Sequence, residues 1–191
     1  LLYRRGNFNG TFDQLICDAQ RKVGDAEISL SPGFRWGTTI LPGQTITMEH
    51  VLDQTCISYP ETYVREMSGE PIKLILEDVC DNLFNPDPFY QQGGDMVRVG
   101  GMDYVCDPLA GAGKRISAMT LDDGTAVDPA RNYRVAGWAT VGSQAPGPPI
   151  WDVVAEYLRD AGVARIGKLN TPVLRGVAGN PGLSNYRGVL E

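Results

Sequence analysis

Apolar residues recur at helical spacing in several stretches of the chain. From Thr11 to Val23, Phe12, Leu15, Ile16, Ala19 and Val23 fall on one face, which predicts a helix, and Thr11 with Gln14 three residues on makes a capping box. Met48 to Asp53 reads as a short helix after Thr47. Ile72, Ile75, Leu76, Val79 and Leu83 give an amphipathic helix, with Pro71 suited to its first position and Asn85-Pro86-Asp87-Pro88 to its end. Ile150 to Leu158 is a last helix with Val153, Val154, Tyr157 and Leu158 on its apolar side. Between these lie strand patterns: Ala26 to Ser31, broken by Pro32-Gly33, and Tyr63 to Met67. Gly93-Gly94 opens a strand pair, Met96 to Val99 and Met102 to Cys106, on either side of Gly100-Gly101. Arg115 to Leu121 and Tyr133 to Trp138 read as two more strands, with a turn at Asp122-Asp123-Gly124 between them. Val141 to Pro149 is a Gly/Pro-rich loop, and after Gly162 no strong period remains. Helices and strands that alternate this irregularly predict an α+β domain over 1–161, with a mixed sheet and flanking helices, followed by a long extended tail over 162–191.

Composition narrows the class. With 191 residues, 42% hydrophobic and 21% charged, the chain can bury a core without metal or disulfide support. A net charge of −6 argues against a nucleic-acid binder, which needs a basic face, but leaves room for a small anion gripped by local arginines. No apolar run approaches the roughly 18 residues of a membrane span. The chain opens at Leu1 and carries no signal-peptide pattern, so it reads as a processed product or a fragment. Cys17, Cys56, Cys80 and Cys106 are far apart and form no CxxC; the even count is compatible with two disulfides or with four buried thiols. His50 is the only histidine, and a zinc or di-metal hydrolase site draws on several. Metal ligands of a parent enzyme would therefore lie outside these residues.

Two glycine-flanked arginines are the leading candidates for chemistry. In Ser31-Pro32-Gly33-Phe34-Arg35-Trp36 a strand ends at Pro-Gly and presents Arg35 beside two aromatics. A guanidinium offers a planar fork of donors suited to phosphate or sulfonate oxygens; a surface arginine stacked on Trp36 is the competing reading. Gly93-Gly94-Asp95-Met96-Val97-Arg98-Val99-Gly100-Gly101 sets Arg98 between glycine pairs, with an exposed hairpin arginine as the alternative. Neither segment is a P-loop or a dinucleotide fingerprint. Trp138, where a strand meets the long loop, could wall a pocket or fill the core. Arg4, Arg5, Asn7 and Asn9 precede the first helix, whose N-terminus can attract an anion; a solvated lead-in segment is the plainer reading. Ser143 has no histidine partner for a Ser-His-Asp nucleophile, and His50 reads as packed or solvated.

These pieces, in order, resemble the C-terminal domain of the 5′-nucleotidase superfamily. The resemblance rests on Asn9-Gly10 before Leu15-Ile16-Cys17-Asp18-Ala19, on Pro32-Gly33-Phe34-Arg35, and on Gly43-Gln44-Thr45-Ile46-Thr47. It continues through Ser68-Gly69 with Leu76-Glu77, Gly93-Gly94 with Tyr104-Val105-Cys106-Asp107, and Tyr133-Arg134-Val135-Ala136. Nucleotidases follow that last strand with an Asn, a base-stacking aromatic and a Gly-Gly-Asp-Gly-Tyr segment; here Gly137-Trp138-Ala139-Thr140-Val141-Gly142-Ser143 stands instead. The segments 3–11, 31–37 and 93–98 look like the SoxB group of sulfur-oxidation thiosulfohydrolases.

That resemblance implies a periplasmic hydrolase with two manganese ions in an N-terminal metallophosphatase domain outside this chain. The implied reaction releases sulfate from a cysteine S-thiosulfonate on a SoxYZ-like sulfur-carrier protein. The resemblance makes Arg35 the residue that holds the sulfonate oxygens, with Arg98 near a family glutamine. Trp36 and Trp138 are expected to line the channel for the carrier's cysteine arm. This chain alone would then hold no metal and turn nothing over. Two alternatives remain: a nucleotidase domain that binds nucleotides, and a non-enzymatic protein-binding module.

Overall fold

A computed structural model describes residues 1–4, 6–34, 36–91, 94–140 and 145–177. Arg5, Arg35, Gly93, the 141–144 part of the Gly/Pro loop with Ser143, and the tail from 178 onward lie outside the described residues.

The helices follow the predicted periods. Helix α1 (Thr11–Gly24) buries Phe12, Leu15, Ile16 and Ala19 completely, whereas Val23 near its end is 36% exposed. Its cap is not the predicted pairing of Thr11 and Gln14. Gly10 is the N-cap, and its N–H donates to the Asp13 carboxylate at 2.8 Å, so the acidic residue at the third position does the capping. Helix α2 (Met48–Thr55) starts at Thr47, whose N–H donates to Nδ1 of His50 at 3.1 Å; the sole histidine is thus a helix-capping group. Helix α3 (Gly69–Phe84) begins two residues before Pro71. It can do so because the N–H groups of Gly69 and Glu70 find the carbonyls of Arg131 and Pro129. Helix α4 (Ile150–Ala161) buries Ile150, Val153 and Val154 and ends at Gly162 in the left-handed conformation.

The strands are β1 (Ile28–Gly33), β2 (Thr62–Ser68), β3 (Asp95–Gly100), β4 (Met102–Cys106), β5 (Ile116–Leu121), β6 (Asn132–Trp138) and β7 (Val173–Leu174). They form two mixed sheets, one ordered β2-β6-β1-β3 and one ordered β5-β4-β7. In the first, β1 and β6 run parallel while β2 and β3 pair antiparallel at the edges.

The strand pair expected around Gly100-Gly101 does not form. Strand β3 pairs with β1 and β4 pairs with β5, so the chain leaves one sheet and enters the other at this dipeptide. Gly101 has φ +80, and a Cβ there would stand 2.3 Å from the carbonyl oxygen of Glu27, so only glycine makes the transfer. Strands β5 and β6, the two strands expected on either side of the turn at Asp122-Asp123-Gly124, lie in different sheets.

One hydrophobic layer joins the first sheet to α3 and the second sheet through Ile28, Leu30, Ile72, Leu76, Tyr104 and Val135. The other packs α1, α2 and α4 together through Phe12, Leu15, Ile16, Val51, Val154 and Trp138. Beyond α4 the chain returns to the body: Asn170 is buried and β7 adds to β4.

Candidate functional site

Of the predicted site residues, Trp36, Arg98 and Trp138 lie near one another where β1 and β6 end and β3 begins. At the end of β1 the register with β3 shifts between Ser31 and Gly33. There Gly33 lies so close to β3 that a Cβ would meet the carbonyl oxygen of Met96 at 2.5 Å. The bulge turns the following residues out of the sheet. Phe34 then stacks on Trp36, ring centroids 3.9 Å apart, and meets Trp138 edge-on at 6.2 Å.

The three rings differ in access. Trp36 is 41% exposed, whereas Trp138 is 4% exposed and its indole N–H donates to the Ser31 hydroxyl at 2.8 Å. Trp138 therefore forms the floor and Trp36 the open wall. Just past Trp138, Ala139 is held at φ +61, an uncommon conformation for a residue with a Cβ, at the point where the chain enters the Gly/Pro loop.

Beneath the aromatic group lies a fully buried ionic frame. Arg4 donates from Nε to Asp13 at 2.6 Å, from Nη1 to the Gln54 carbonyl at 2.6 Å and from Nη2 to the Pro32 carbonyl at 3.0 Å. Its guanidinium sits 5.3 Å from the centroid of Phe34. Arg98 places Nε 3.3 Å from the same Asp13 oxygen and Nη2 3.3 Å from Asp95. Nη2 also donates to the carbonyls of Gly6 at 2.9 Å and Phe34 at 3.2 Å. Two guanidinium groups thus face two carboxylates, a balance that makes the burial of four charges tolerable. Two of the carbonyls they hold, those of Pro32 and Phe34, lie just before Arg35 in the chain.

The structure brings Phe34, Trp36, Trp138 and Arg98 together. Arg98 has no exposed surface; its Nη groups donate to protein acceptors, among them the Phe34 carbonyl, while Nε lies near Asp13 without a hydrogen bond, so the side chain meets the loop from below. Arg35 lies outside the described residues. Arg4 and Asp13 are members of the site that sequence reasoning does not find. The sequence groups Arg4 with a surface anion cluster and leaves Asp13 unmarked, since nothing in a nine-residue separation signals the two as partners. Asn9 ties backbone rather than holding an anion: its Nδ2 donates to the Val99 carbonyl at 2.8 Å and its Oδ1 accepts from the Val99 N–H at 3.3 Å.

Among the described residues no group of three or more His, Cys, Asp or Glu side chains is placed to hold a metal ion. A cleft of about 1010 Å³ lies elsewhere, between Leu2, Ile40, Val51 and Leu158, and none of the residues above lines it.

The family model of the 5′-nucleotidase C-terminal domain matches residues 4–176. Among solved structures, the Thermus thermophilus sulfate thiohydrolase SoxB, in complex with glycerol, superposes with a TM-score of 0.83 at 40% identity, over 93% of this chain and 34% of that one. A 5′-nucleotidase precursor, also from Thermus thermophilus, gives 0.69 at 18% identity, over 93% and 37%. A putative 5′-nucleotidase from Staphylococcus aureus gives 0.68 at 18%, over 85% and 36%. The chain therefore spans about a third of the length of these relatives. No curated protein matches it.

Proposed function

The chain belongs to the 5′-nucleotidase C-terminal domain family, and from that membership we propose that it is the substrate-binding domain of a SoxB-like thiosulfohydrolase. The observation that carries the reading is the 40% identity to the sulfate thiohydrolase over nearly the whole chain, against 18% for the nucleotidases. The replacement of the base-stacking segment after β6 by Gly137-Trp138-Ala139-Thr140 supports the same side.

In this proposal Arg35 grips the sulfonate oxygens of a cysteine S-thiosulfonate. Trp36 and Trp138, with Phe34 between them, wall the path of the carrier's cysteine arm, on a SoxYZ-like protein in the periplasm. Arg98 supports the loop rather than touching substrate. Water adds to the sulfonate sulfur, the S–S bond breaks, sulfate leaves, and the carrier's outer sulfur takes the proton. In this proposal the two manganese ions belong to a metallophosphatase domain outside these residues, among which no group of metal-ligating side chains is described.

The test uses the full-length protein, given carrier S-thiosulfonate in one assay and AMP in another. Sulfate release that falls at least about thirtyfold in Arg35→Ala, the lower end of about 2–5 kcal/mol for a lost desolvated charge contact, supports the reading. Phosphate release from AMP without sulfate release replaces it with a nucleotidase. Activity on neither substrate favours a protein-binding module.

A further inference from the structure

Cys80 lies on the inner face of α3, one turn beyond Leu76, and Cys106 is the last residue of β4. Both are fully buried, and their Sγ atoms are 3.2 Å apart, about 1.2 Å beyond the bonded separation in a disulfide. The backbone around them is fixed independently of the sulfurs. Three residues before Cys80, the Glu77 carboxylate accepts from the N–H groups of Gly113, Arg115 and Ile116. One residue after Cys80, Asp81 pairs with Arg115 at 2.6 Å. On the other side, the Asp107 N–H donates to the Arg115 carbonyl at 2.8 Å. The helix, β4 and the start of β5 are thus held in one register with the two sulfurs facing each other.

We infer that Cys80 and Cys106 are a disulfide site, joined by thiol–disulfide exchange as the domain folds and closed to reductants once α3 packs against β4. The other two cysteines are placed differently. Cys17 is buried in α1 beside Ser29, and Cys56 is exposed at the end of α2. While α3 and β4 are still apart, the thiolate of either cysteine displaces one thiol from an external disulfide and forms a mixed disulfide; as the two elements pack, the other cysteine attacks that sulfur and displaces the second thiol. The two protons of Cys80 and Cys106 end on the two released thiols, and the external disulfide is the oxidant. The closed loop contains β3 with Asp95 and Arg98, so the bond would tether both ends of the segment under the site. It stands independently of the proposed hydrolase activity.

The experiment refolds the full-length protein in a buffer of oxidised and reduced glutathione. The protein is then denatured at acid pH, alkylated without reduction, digested and weighed. The expected product is one cross-linked pair containing Cys80 and Cys106, lighter by two hydrogens than the free peptides, with Cys17 and Cys56 alkylated. Alkylation of both Cys80 and Cys106, or either of them joined to Cys17 or Cys56, overturns the inference. As a second readout, the unfolding midpoint of the oxidised protein should lie above that of the reduced protein, and the difference should vanish in Cys106→Ser. A midpoint in the unchanged protein that is indifferent to oxidation overturns the structural role.

Discussion

Arg98 donates to the carbonyl of Phe34 at 3.2 Å across 64 positions of chain, from inside the protein to the residue just before Arg35. Backbone held in this way keeps a loop conformation that its own sequence does not dictate, and the donor is a planar fork that lysine cannot reproduce. Arg98→Lys should therefore fold, since charge is kept, yet raise KM for the carrier substrate more than it lowers kcat. Arg98→Met leaves Asp13 and Asp95 short of one cation and should destabilise the domain by about 3–5 kcal/mol. Denaturant midpoints and steady-state kinetics of the two variants check the separation. A near-normal KM in Arg98→Lys beside a raised KM in Arg98→Met would mean that the charge, not the fork, matters.

Asp13 is the shared anion of the frame. It sits 2.6 Å from Arg4 Nε and 3.3 Å from Arg98 Nε, and its other oxygen accepts from the Gly10 N–H. Asp13→Ala would strand two buried guanidinium groups and uncap α1 at once. A loss of about 3–5 kcal/mol is expected from the broken ion pairs, with about 1 kcal/mol more from the cap. Replacing Arg4 and Asp13 together with Met and Leu should cost less than Asp13→Ala alone, because removing a buried pair is milder than orphaning one member. Urea titration of the two variants decides it.

Much of this architecture is readable from apolar spacing, because α1, α3 and α4 each bury a face whose period survives packing. The helices are where Phe12, Leu76 and Val154 put them. The partition of strands is not readable. Met96 to Val99 and Met102 to Cys106 read as a hairpin across Gly100-Gly101, and what separates them is the approach of Gly101 to the Glu27 carbonyl, a tertiary fact. The site is half legible. Gly33, Phe34 and Trp36 lie close together in the chain and announce a glycine-flanked aromatic loop. Arg4 and Asp13 give no such signal, because the partners of Arg4 include carbonyls at positions 32 and 54. Buried arginine is also rare, so the sequence offers Arg98 as an anion-binding residue or an exposed hairpin arginine and does not suggest the fully buried side chain that is found.

Trp36 and Trp138 belong to one aromatic group but should respond to mutation in opposite ways. Trp138 is buried and hydrogen-bonded to Ser31, so Trp138→Ala should cost about 3–5 kcal/mol of stability. Trp36 is 41% exposed, and Trp36→Ala should cost less than about 1.5 kcal/mol while weakening capture of the carrier arm. Thermal unfolding of the full-length protein, read beside carrier KM, tests the pair. A normal KM in Trp36→Ala would remove it from the proposed channel.

The return of the chain after α4 depends on charge and so on pH. Lys168 reaches Asp122 at 2.9 Å and also pairs with Asp103, while Asn170 donates to both carboxylates at 3.0 Å. Burial pushes the Asp122 carboxyl up, but hydrogen bonds from Lys168 and Asn170 and the charges of Arg21 and Lys168 outweigh it and hold it below the usual range. The folded form then binds fewer protons than the unfolded one. The contribution of Asp122 is complete above the ordinary carboxylate value of about 3.9 and is lost as pH falls through the lower folded value. Lys168 is held above its usual range, first by its hydrogen bond to Asp103. Its contribution is complete below about 10.4 and is lost as pH rises through the higher folded value. Between these limits the clasp should be indifferent to pH. Limited proteolysis within 165–177 should therefore be flat from about pH 5 to 9 and should accelerate toward pH 3, with the rest of the fold intact. Asp122→Asn should remove most of the acid-side change, and added salt should weaken the exposed Lys168 pair at neutral pH. An unaltered acid profile in Asp122→Asn would show that Asp122 does not carry the release.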